Sequence, residues 1–278
     1  MLTDFHMHTN RSDGQLSPEE LVLEAHKNGL GIIAITDHDV IDAYTIALSY
    51  INKHQIPLKL IPAVEFNTDN PNREVHILGY NIQVDSLKLK IVLEKLRQAR
   101  SERIFKIIDK LNSLSINITM QDVAVHTIDA LSLGRPHVAK ALVAKGYYQS
   151  IPQAFDEMLA RGKPAYIPHV KLSISEAVNI ILEMNGIPIL AHPGLILDDN
   201  HVEELLDKYP LKGLEAFYPK HTPQQVQKYI KFAKKRNLLI TGGSDFHGTK
   251  GRYPEQLGLF SLSNKQNKDI IALCCGGD

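Results

Sequence analysis

At 278 residues and 44% hydrophobic content, the chain has the length of one barrel domain, or of a barrel carrying an insertion. Its 31 Lys and Arg offset 31 Asp and Glu, which excludes a global electrostatic pull toward nucleic acid or acidic lipid and leaves any polyanion to a local patch. No stretch is apolar for long enough to span a bilayer, the opening Met1-Leu2-Thr3-Asp4-Phe5-His6 lacks the plan of a secretory signal, and the only cysteines are the adjacent Cys274 and Cys275. The expectation is a cytoplasmic protein that holds any metal through nitrogen and oxygen, not thiolate.

In chain order, short apolar runs alternate with helical patterns, the signature of α/β architecture. Strands are expected at 2–5, 31–36, 58–65, 75–80, 187–191, 213–217 and 238–241. Helix starts are legible: Ser17-Pro18-Glu19-Glu20, Ser173-Ile174-Ser175-Glu176 and Thr222-Pro223-Gln224-Gln225 each offer an N-cap hydroxyl with Glu or Gln three residues on. The alternation breaks between about Asp85 and Tyr166. Residues 87–114 read as one long amphipathic helix, with Leu89, Val92, Leu93, Leu96, Ile104, Ile107, Ile108 and Leu111 at helical intervals. Shorter helical patterns follow at 120–126, 136–145 and 152–160. The expected organisation is therefore a barrel from 1–84 and 166–278, interrupted by a helical cap subdomain at 85–165.

Histidines and acids cluster just after the apolar runs. His6 and His8, two apart, point to the same face of a strand; Asp13 follows in a turn. Asp37-His38 closes the second run, Glu65 the third, His192 the fifth, and Asp245 with His247 follows Gly242-Gly243-Ser244. His76 lies in the fourth run and, taken alone, is more often a satisfied core histidine. If all these runs are parallel strands, their C-terminal ends share one rim and the groups converge there. Imidazole with carboxylate suits zinc, manganese or iron, so the set as a whole predicts a multinuclear metal site and a hydrolase.

The middle region offers cations. Gly134-Arg135-Pro136-His137 opens a helix, where free N–H groups and an arginine fork make a phosphate grip. Arg161-Gly162-Lys163-Pro164 supplies two more. Arg97, Arg100 and Arg103 read as a solvated helix face. Among the remaining histidines only His137 and His169 stand out, by their neighbours.

The ordered set Asp4-Phe5-His6-Met7-His8, Thr36-Asp37-His38, Glu65, His76, Ala191-His192-Pro193-Gly194 and Gly243-Ser244-Asp245-Phe246-His247 resembles the polymerase-and-histidinol-phosphatase (PHP) superfamily of metal-dependent phosphoesterases. The resemblance runs from residue 4 to about 262 and implies a distorted (β/α)7 TIM-like barrel with three divalent metals. His6, His8, Glu65 and Asp245 would hold the first, Glu65, His76 and His192 the second, and Asp13, His38 and His247 the third. The insertion looks like the branch of nucleoside 3′,5′-bisphosphate phosphatases and 5′→3′ exoribonucleases, in which aspartate at the Asp13 position is typical. This implies hydrolysis of a nucleotide phosphomonoester, foremost the 3′-phosphate of a 3′,5′-bisphosphate, by a hydroxide bridging two metals. In this reading Asp245 orients the nucleophile, His221 protonates the leaving oxygen, and Arg135, His137 and Lys163 bind the phosphate that is kept. The alternatives are an exoribonuclease on short 5′-phosphorylated RNA and a metal-stabilised binding module. A metal kept for stability alone is usually enclosed by four ligands, and the donors here are too many. No membrane and no obligate protein partner are expected.

Overall fold

Seven apolar runs form strands where the periodicity places them: β1 (Leu2–Met7), β2 (Leu30–Ile35), β3 (Lys59–Asp69), β4 (Val75–Tyr80), β6 (Ile187–Leu190), β7 (Gly213–Phe217) and β8 (Leu239–Gly242). Two strands of two residues each, β5 (Leu172–Ser173) and β9 (Leu262–Ser263), carry no readable periodicity. The computed structural model describes residues 1–70, 74–127, 131, 133–168, 170–251 and 253–275. Its sheet runs β8-β7-β6-β4-β3-β2-β1-β9, with β5 beside β3. A parallel bridge between Met7 and Phe246, with the His8 N–H donating to the Phe246 carbonyl at 2.8 Å, brings the chain after β8 against β1. The sheet thus curls into a nearly closed, distorted barrel.

The all-parallel premise fails at β4, which runs antiparallel to both β3 and β6. Only five residues separate Asp69 from Val75, too few for the crossover that a parallel pair requires, so the chain turns back as a hairpin. This reversal is what brings His76 to the rim. As the second residue of a reversed strand, it lies beside the C-terminal ends of the others.

Ten α-helices are described: α1 (Pro18–Lys27), α2 (Asp42–His54), α3 (Leu87–Ser113), α4 (Met120–Ala124), α5 (Arg135–Ala144), α6 (Ile151–Ala154), α7 (Ile174–Glu183), α8 (Asp199–Lys208), α9 (Pro223–Lys235) and α10 (Lys268–Cys275). None is long and apolar enough to cross a membrane. Ser17, Ser173 and Thr222 complete the expected capping boxes on α1, α7 and α9. Each satisfies N–H groups that a helix start leaves unpaired.

Helix α3 buries Leu89, Leu93, Leu96, Ile104, Ile107, Ile108 and Leu111, as its pattern predicts. It buries Arg100 and Arg103 as well. Leu89, Leu93, Leu96, Arg100, Arg103, Ile107 and Leu111 follow one another in steps of three or four, so the two arginines occupy stripe positions, while Arg97 is exposed. The distal half of α3 packs with Val123, Val138, Leu142 and Leu159 in an apolar cluster distinct from those of the strands. The segment after Leu262 belongs to the strand layer. The Asn267 amide donates to the Thr3 hydroxyl (2.9 Å), and Ile270 is buried among Phe5, Ile61 and Leu78.

Candidate metal centre

The rim is built by strand ends. His8 follows β1, His38 follows β2 and pairs across a parallel bridge with Glu65 in β3, His192 follows β6, and Asp245 and His247 follow β8. All nine expected donors meet there. They fall into four sets whose ligand atoms lie within 4.8 Å of one another: His8, Asp13, His38 and His247; His6, His8 and Asp245; His6, Glu65 and His192; His38, Glu65 and His76. Glu65 is fully buried at the centre. Its Oε1 lies 2.8 Å from His76 Nδ1 and 3.1 Å from His192 Nε2; its Oε2 lies 2.9 Å from His38 Nδ1, 3.3 Å from His8 Nε2 and 3.5 Å from His6 Nε2. On the far side His247 Nε2 is 3.2 Å from Asp13 Oδ1.

These atoms do not satisfy one another. Glu65 Oε2, His6 Nε2, both ring nitrogens of His8, His38 Nδ1, His76 Nε2 and His247 Nε2 are buried without a hydrogen bond. An unpaired buried polar atom costs about 1–3 kcal/mol, and so many at one place suit a shared electrophile. Burial would raise the Glu65 carboxyl, but the His38, His76 and His6 imidazoles outweigh it and hold it well below the carboxylate range. Asp13 is likewise held low, by His247 and His38 against burial. Anionic carboxylates and ring nitrogens, seven of these atoms without a hydrogen bond while Glu65 Oε1 is shared by His76 Nδ1 and His192 Nε2, fit divalent cations.

Supporting residues fix the donors. Buried Glu215, in β7, accepts from His6 Nδ1–H at 2.9 Å and from the His192 backbone N–H at 2.8 Å. The first contact sets the His6 tautomer, leaving Nε2 as the free donor. Asp4 accepts from the His6 and Ser244 N–H groups, and Asp37 accepts from the Thr9 N–H and from the Thr9 and Ser12 hydroxyls, tying down the turn that carries Asp13. Tyr218 donates to Asp245 Oδ2 at 3.0 Å. The backbone is strained here, with φ of 26° at His192 and 52° at Asp245, a cost that recurs at functional sites. A Cβ on Gly243 would stand 2.3 Å from His6 Cβ, so only glycine lets the end of β8 lie against the β1 rim. The sequence signal for Glu215 was available and overlooked: an acid inside an apolar run, as with Glu65. Replacing Glu215 with glutamine is expected to weaken metal binding about 10–100-fold with little change in fold. A metal titration of the purified variant checks this, and wild-type affinity would refute it.

The expected phosphate and proton groups fare less uniformly. Arg135, at the start of α5, lines a cavity of about 140 Å³ beside His38, His76 and Asp13, together with Arg100, Arg103, Tyr166 and Lys171. Its guanidinium lies over the Phe155 and Tyr166 rings at 5.6 and 5.7 Å and donates to Glu74 at 3.1 Å. The solvated-face reading of Arg100 and Arg103 is corrected, since both are buried. Arg100 pairs with Asp39, and Arg103 donates to the Ile167 carbonyl at 2.7 Å. Burial, then repulsion from Arg135 and Arg100, pushes the Arg103 guanidinium down to about 10. Lys163 is exposed and away from this cavity; Lys171 stands where it was expected.

His137 acts as a cap. Its Nδ1 accepts from the Gly134 N–H at 3.1 Å, and burial pushes it down to about 4, so it is neutral. His221 also has a structural task, because Nδ1–H donates to the Ala216 carbonyl (2.9 Å) and Nε2 accepts from the Gly194 N–H (3.0 Å). With both nitrogens committed to backbone that carries the His192 loop, His221 has no proton to deliver to a leaving oxygen. His169 lies outside the described residues.

The PHP domain family matches residues 4–240. The 5′–3′ exoribonuclease Rnm of Escherichia coli is 32% identical over 251 residues, covering 89% of this chain and 85% of that protein. The 3′,5′-nucleoside bisphosphate phosphatase of Chromobacterium violaceum is 28% identical over 255 residues, covering 90% and 89%. Among solved structures, a protein from Bifidobacterium adolescentis proposed to be a metal-dependent phosphoesterase superposes with a TM-score of 0.85 at 29% identity, covering 97% of this chain and 95% of that one. With its donor set and barrel accounted for, the chain belongs to the PHP domain family.

Proposed function

We propose that this chain removes the 3′-phosphate of nucleoside 3′,5′-bisphosphates, holding the 5′-phosphate in the arginine-lined cavity while the 3′-phosphate lies at the nine-donor centre. The chain is a metal-dependent phosphoric ester hydrolase, and the cavity beside its centre supports the finer reading. Arg100, Arg103, Arg135 and Lys171 crowd into about 140 Å³ with Glu74 among them. Burial and mutual repulsion depress both Arg103 and Lys171, and such a pocket favours a dianion.

Three cations are proposed: one with His6, His8, Glu65 and Asp245, one with Glu65, His76 and His192, one with Asp13, His38 and His247. When bound, divalent cations supply Lewis acidity, lowering the pKa of water and neutralising phosphoryl charge. Asp245, held by Tyr218, orients the attacking water; its Oδ1 stands 3.3 Å from His8 Nε2. Water adds across the phosphorus–oxygen bond, giving the sugar hydroxyl and inorganic phosphate. Residues 85–165 act as a cap that carries three of the four cations, Arg100, Arg103 and Arg135.

The test is product analysis of metal-loaded protein on adenosine 3′,5′-bisphosphate. Inorganic phosphate with the 5′-monophosphate is expected; the 3′-monophosphate would reverse the assignment. Arg135→Ala is expected to lower kcat/KM on the bisphosphate about 10–100-fold, the worth of one or two charge-assisted hydrogen bonds. Activity on an aryl phosphate, which has no second phosphate to hold, should hardly change. Equal losses on both would sink the two-phosphate reading. A second reading, stepwise cleavage of 5′-phosphorylated RNA, is favoured by a larger cleft, of about 890 Å³, that also borders Asp13.

A further inference from the structure

The four cations of the arginine-lined cavity differ in how firmly their own partners are held. Arg100 is paired with Asp39, which is buried and also accepts from the Asn67 N–H. Arg103 donates through Nε to the Ile167 carbonyl at 2.7 Å, and Arg135 through Nη1 to the Leu159 carbonyl at 3.3 Å. A backbone carbonyl and a buried carboxylate stay where they are. Glu74 is different. Its Oε1 lies 3.1 Å from Arg135 Nη2 and 3.5 Å from Lys171 Nζ, so two cations converge on one oxygen. Among the described residues, neither cation has another carboxylate within ion-pair distance.

The cations are anchored and the acid is not. Arg135 lies over the Phe155 and Tyr166 rings, and Lys171 leads into β5, which pairs with β3. Their side chains are 18% and 14% exposed, whereas that of Glu74 is 60% exposed. Glu74 immediately precedes β4 and lies outside its ladder. Rotation about its side-chain bonds therefore carries the carboxylate into water, leaving Arg135 and Lys171 aimed at the point it vacates.

We propose that Glu74 is a built-in competitor for the 5′-phosphate. Its carboxylate occupies the point where a phosphoryl oxygen would meet both Arg135 and Lys171, and it swings into solvent when phosphate binds. The inference rests on the reading above, that this cavity holds the 5′-phosphate. Its consequence is for release. The product of that reaction keeps the 5′-phosphate, so a cavity of four cations alone would hold product as firmly as substrate, binding that does nothing for the chemical step. A carboxylate that returns to the cations lowers the affinity for both by one factor, the fraction of time the seat stands open. For a largely exposed acid sharing one oxygen between two cations, that factor is about 3–10-fold. An acid that merely aligned Arg135 and Lys171 for the phosphate would act in the opposite direction, since its loss would weaken binding.

The test measures binding of adenosine 5′-monophosphate to the metal-loaded full chain by calorimetry, with KM and kcat on adenosine 3′,5′-bisphosphate alongside. Glu74→Gln keeps the shape and removes the charge; it should bind the monophosphate about 3–10-fold more tightly and lower KM by a similar factor. Its kcat should not rise, because tighter binding of substrate and product alike leaves the chemical step as it was. Glu74→Ala should act in the same direction. With Arg135→Ala already in place the gain from Glu74→Gln should shrink, because one of the two contested contacts is gone. Unchanged or weaker monophosphate binding in Glu74→Gln, while Arg135→Ala still weakens it, would overturn the competitor and leave the phosphate seat intact. Monophosphate binding indifferent to Arg135→Ala would overturn both.

Discussion

Replacing Glu65 with glutamine is expected to lower phosphoester hydrolysis by at least about 10³-fold and to reduce the metal bound per chain. The substitution preserves shape and removes one charge. Five imidazoles, those of His6, His8, His38, His76 and His192, lie within 3.5 Å of the two Glu65 oxygens, and the residue is fully buried. Glutamine presents one neutral oxygen and an amide NH2 that cannot accept, so one side of the proposed shared position would lose its ligand atom. Several kcal/mol of transition-state stabilisation depend on cations held there, and about 4 kcal/mol corresponds to 10³-fold. Metal content measured by mass spectrometry, alongside kcat on an aryl phosphate, reads both effects. Full metal content with full activity would remove Glu65 from the shared position.

The second large effect is on stability. Asp39→Ala is expected to destabilise the fold by about 3–5 kcal/mol, because it strands the buried Arg100 guanidinium without its counter-charge. Arg100 Nε donates to Asp39 Oδ2 at 2.8 Å, and the same carboxylate accepts from the Asn67 N–H at 3.3 Å. Asp39 sits at φ 56°, where aspartate is tolerated better than alanine, which adds to the loss. At about 2–4 °C per kcal/mol for a protein approaching this size, Tm should fall by roughly 10 °C. Arg97→Ala, on the exposed side of the same helix, should stay within about 0.5 kcal/mol. A thermal melt of both variants decides it; equal melting points would mean that Arg100 is not held by Asp39. Asp39→Ala should also weaken bisphosphate binding if the cavity that Arg100 lines holds the 5′-phosphate, as proposed.

Much of the centre was legible because metal chemistry constrains residue type and strand ends constrain position. His6, His8, His38, Glu65, His192, Asp245 and His247 stand at or just after the ends of apolar runs, Asp13 and His76 are added by the family resemblance, and all nine fall into the four mutually close sets. The capping boxes at Ser17, Ser173 and Thr222 were legible because a cap is a contact over three residues. Longer-range features were not. Lys163 stands in a cationic cluster, Arg161-Gly162-Lys163-Pro164, yet a cluster in sequence says nothing about which cavity it lines; the lysine in the lining is Lys171. His221 was given a proton because it stood near the site, but its two backbone partners, Ala216 and Gly194, become visible only when the loops after β6 and β7 are brought together.

The arginines of α3 are the sharpest case. Arg100 and Arg103 continue the three-and-four spacing that marks Leu89, Leu93, Leu96, Ile107 and Leu111 as buried, so position argued for burial and charge argued against it. Burying an arginine without a counter-charge is costly. Asp39 removes that cost for Arg100, and it arrives from 61 residues away.

By itself, then, the order of residues determined which elements form and which atoms can ligate, since helix caps, strand periodicity and donor chemistry act over a few residues. Only the tertiary structure decided how far β3 extends and that β4 pairs with β6 as well as β3, the pairing that puts His76 beside Glu65 at the rim. It also decided which cations share a cavity and which histidines are committed to backbone, because those outcomes depend on charges and carbonyls that meet only when the sheet closes.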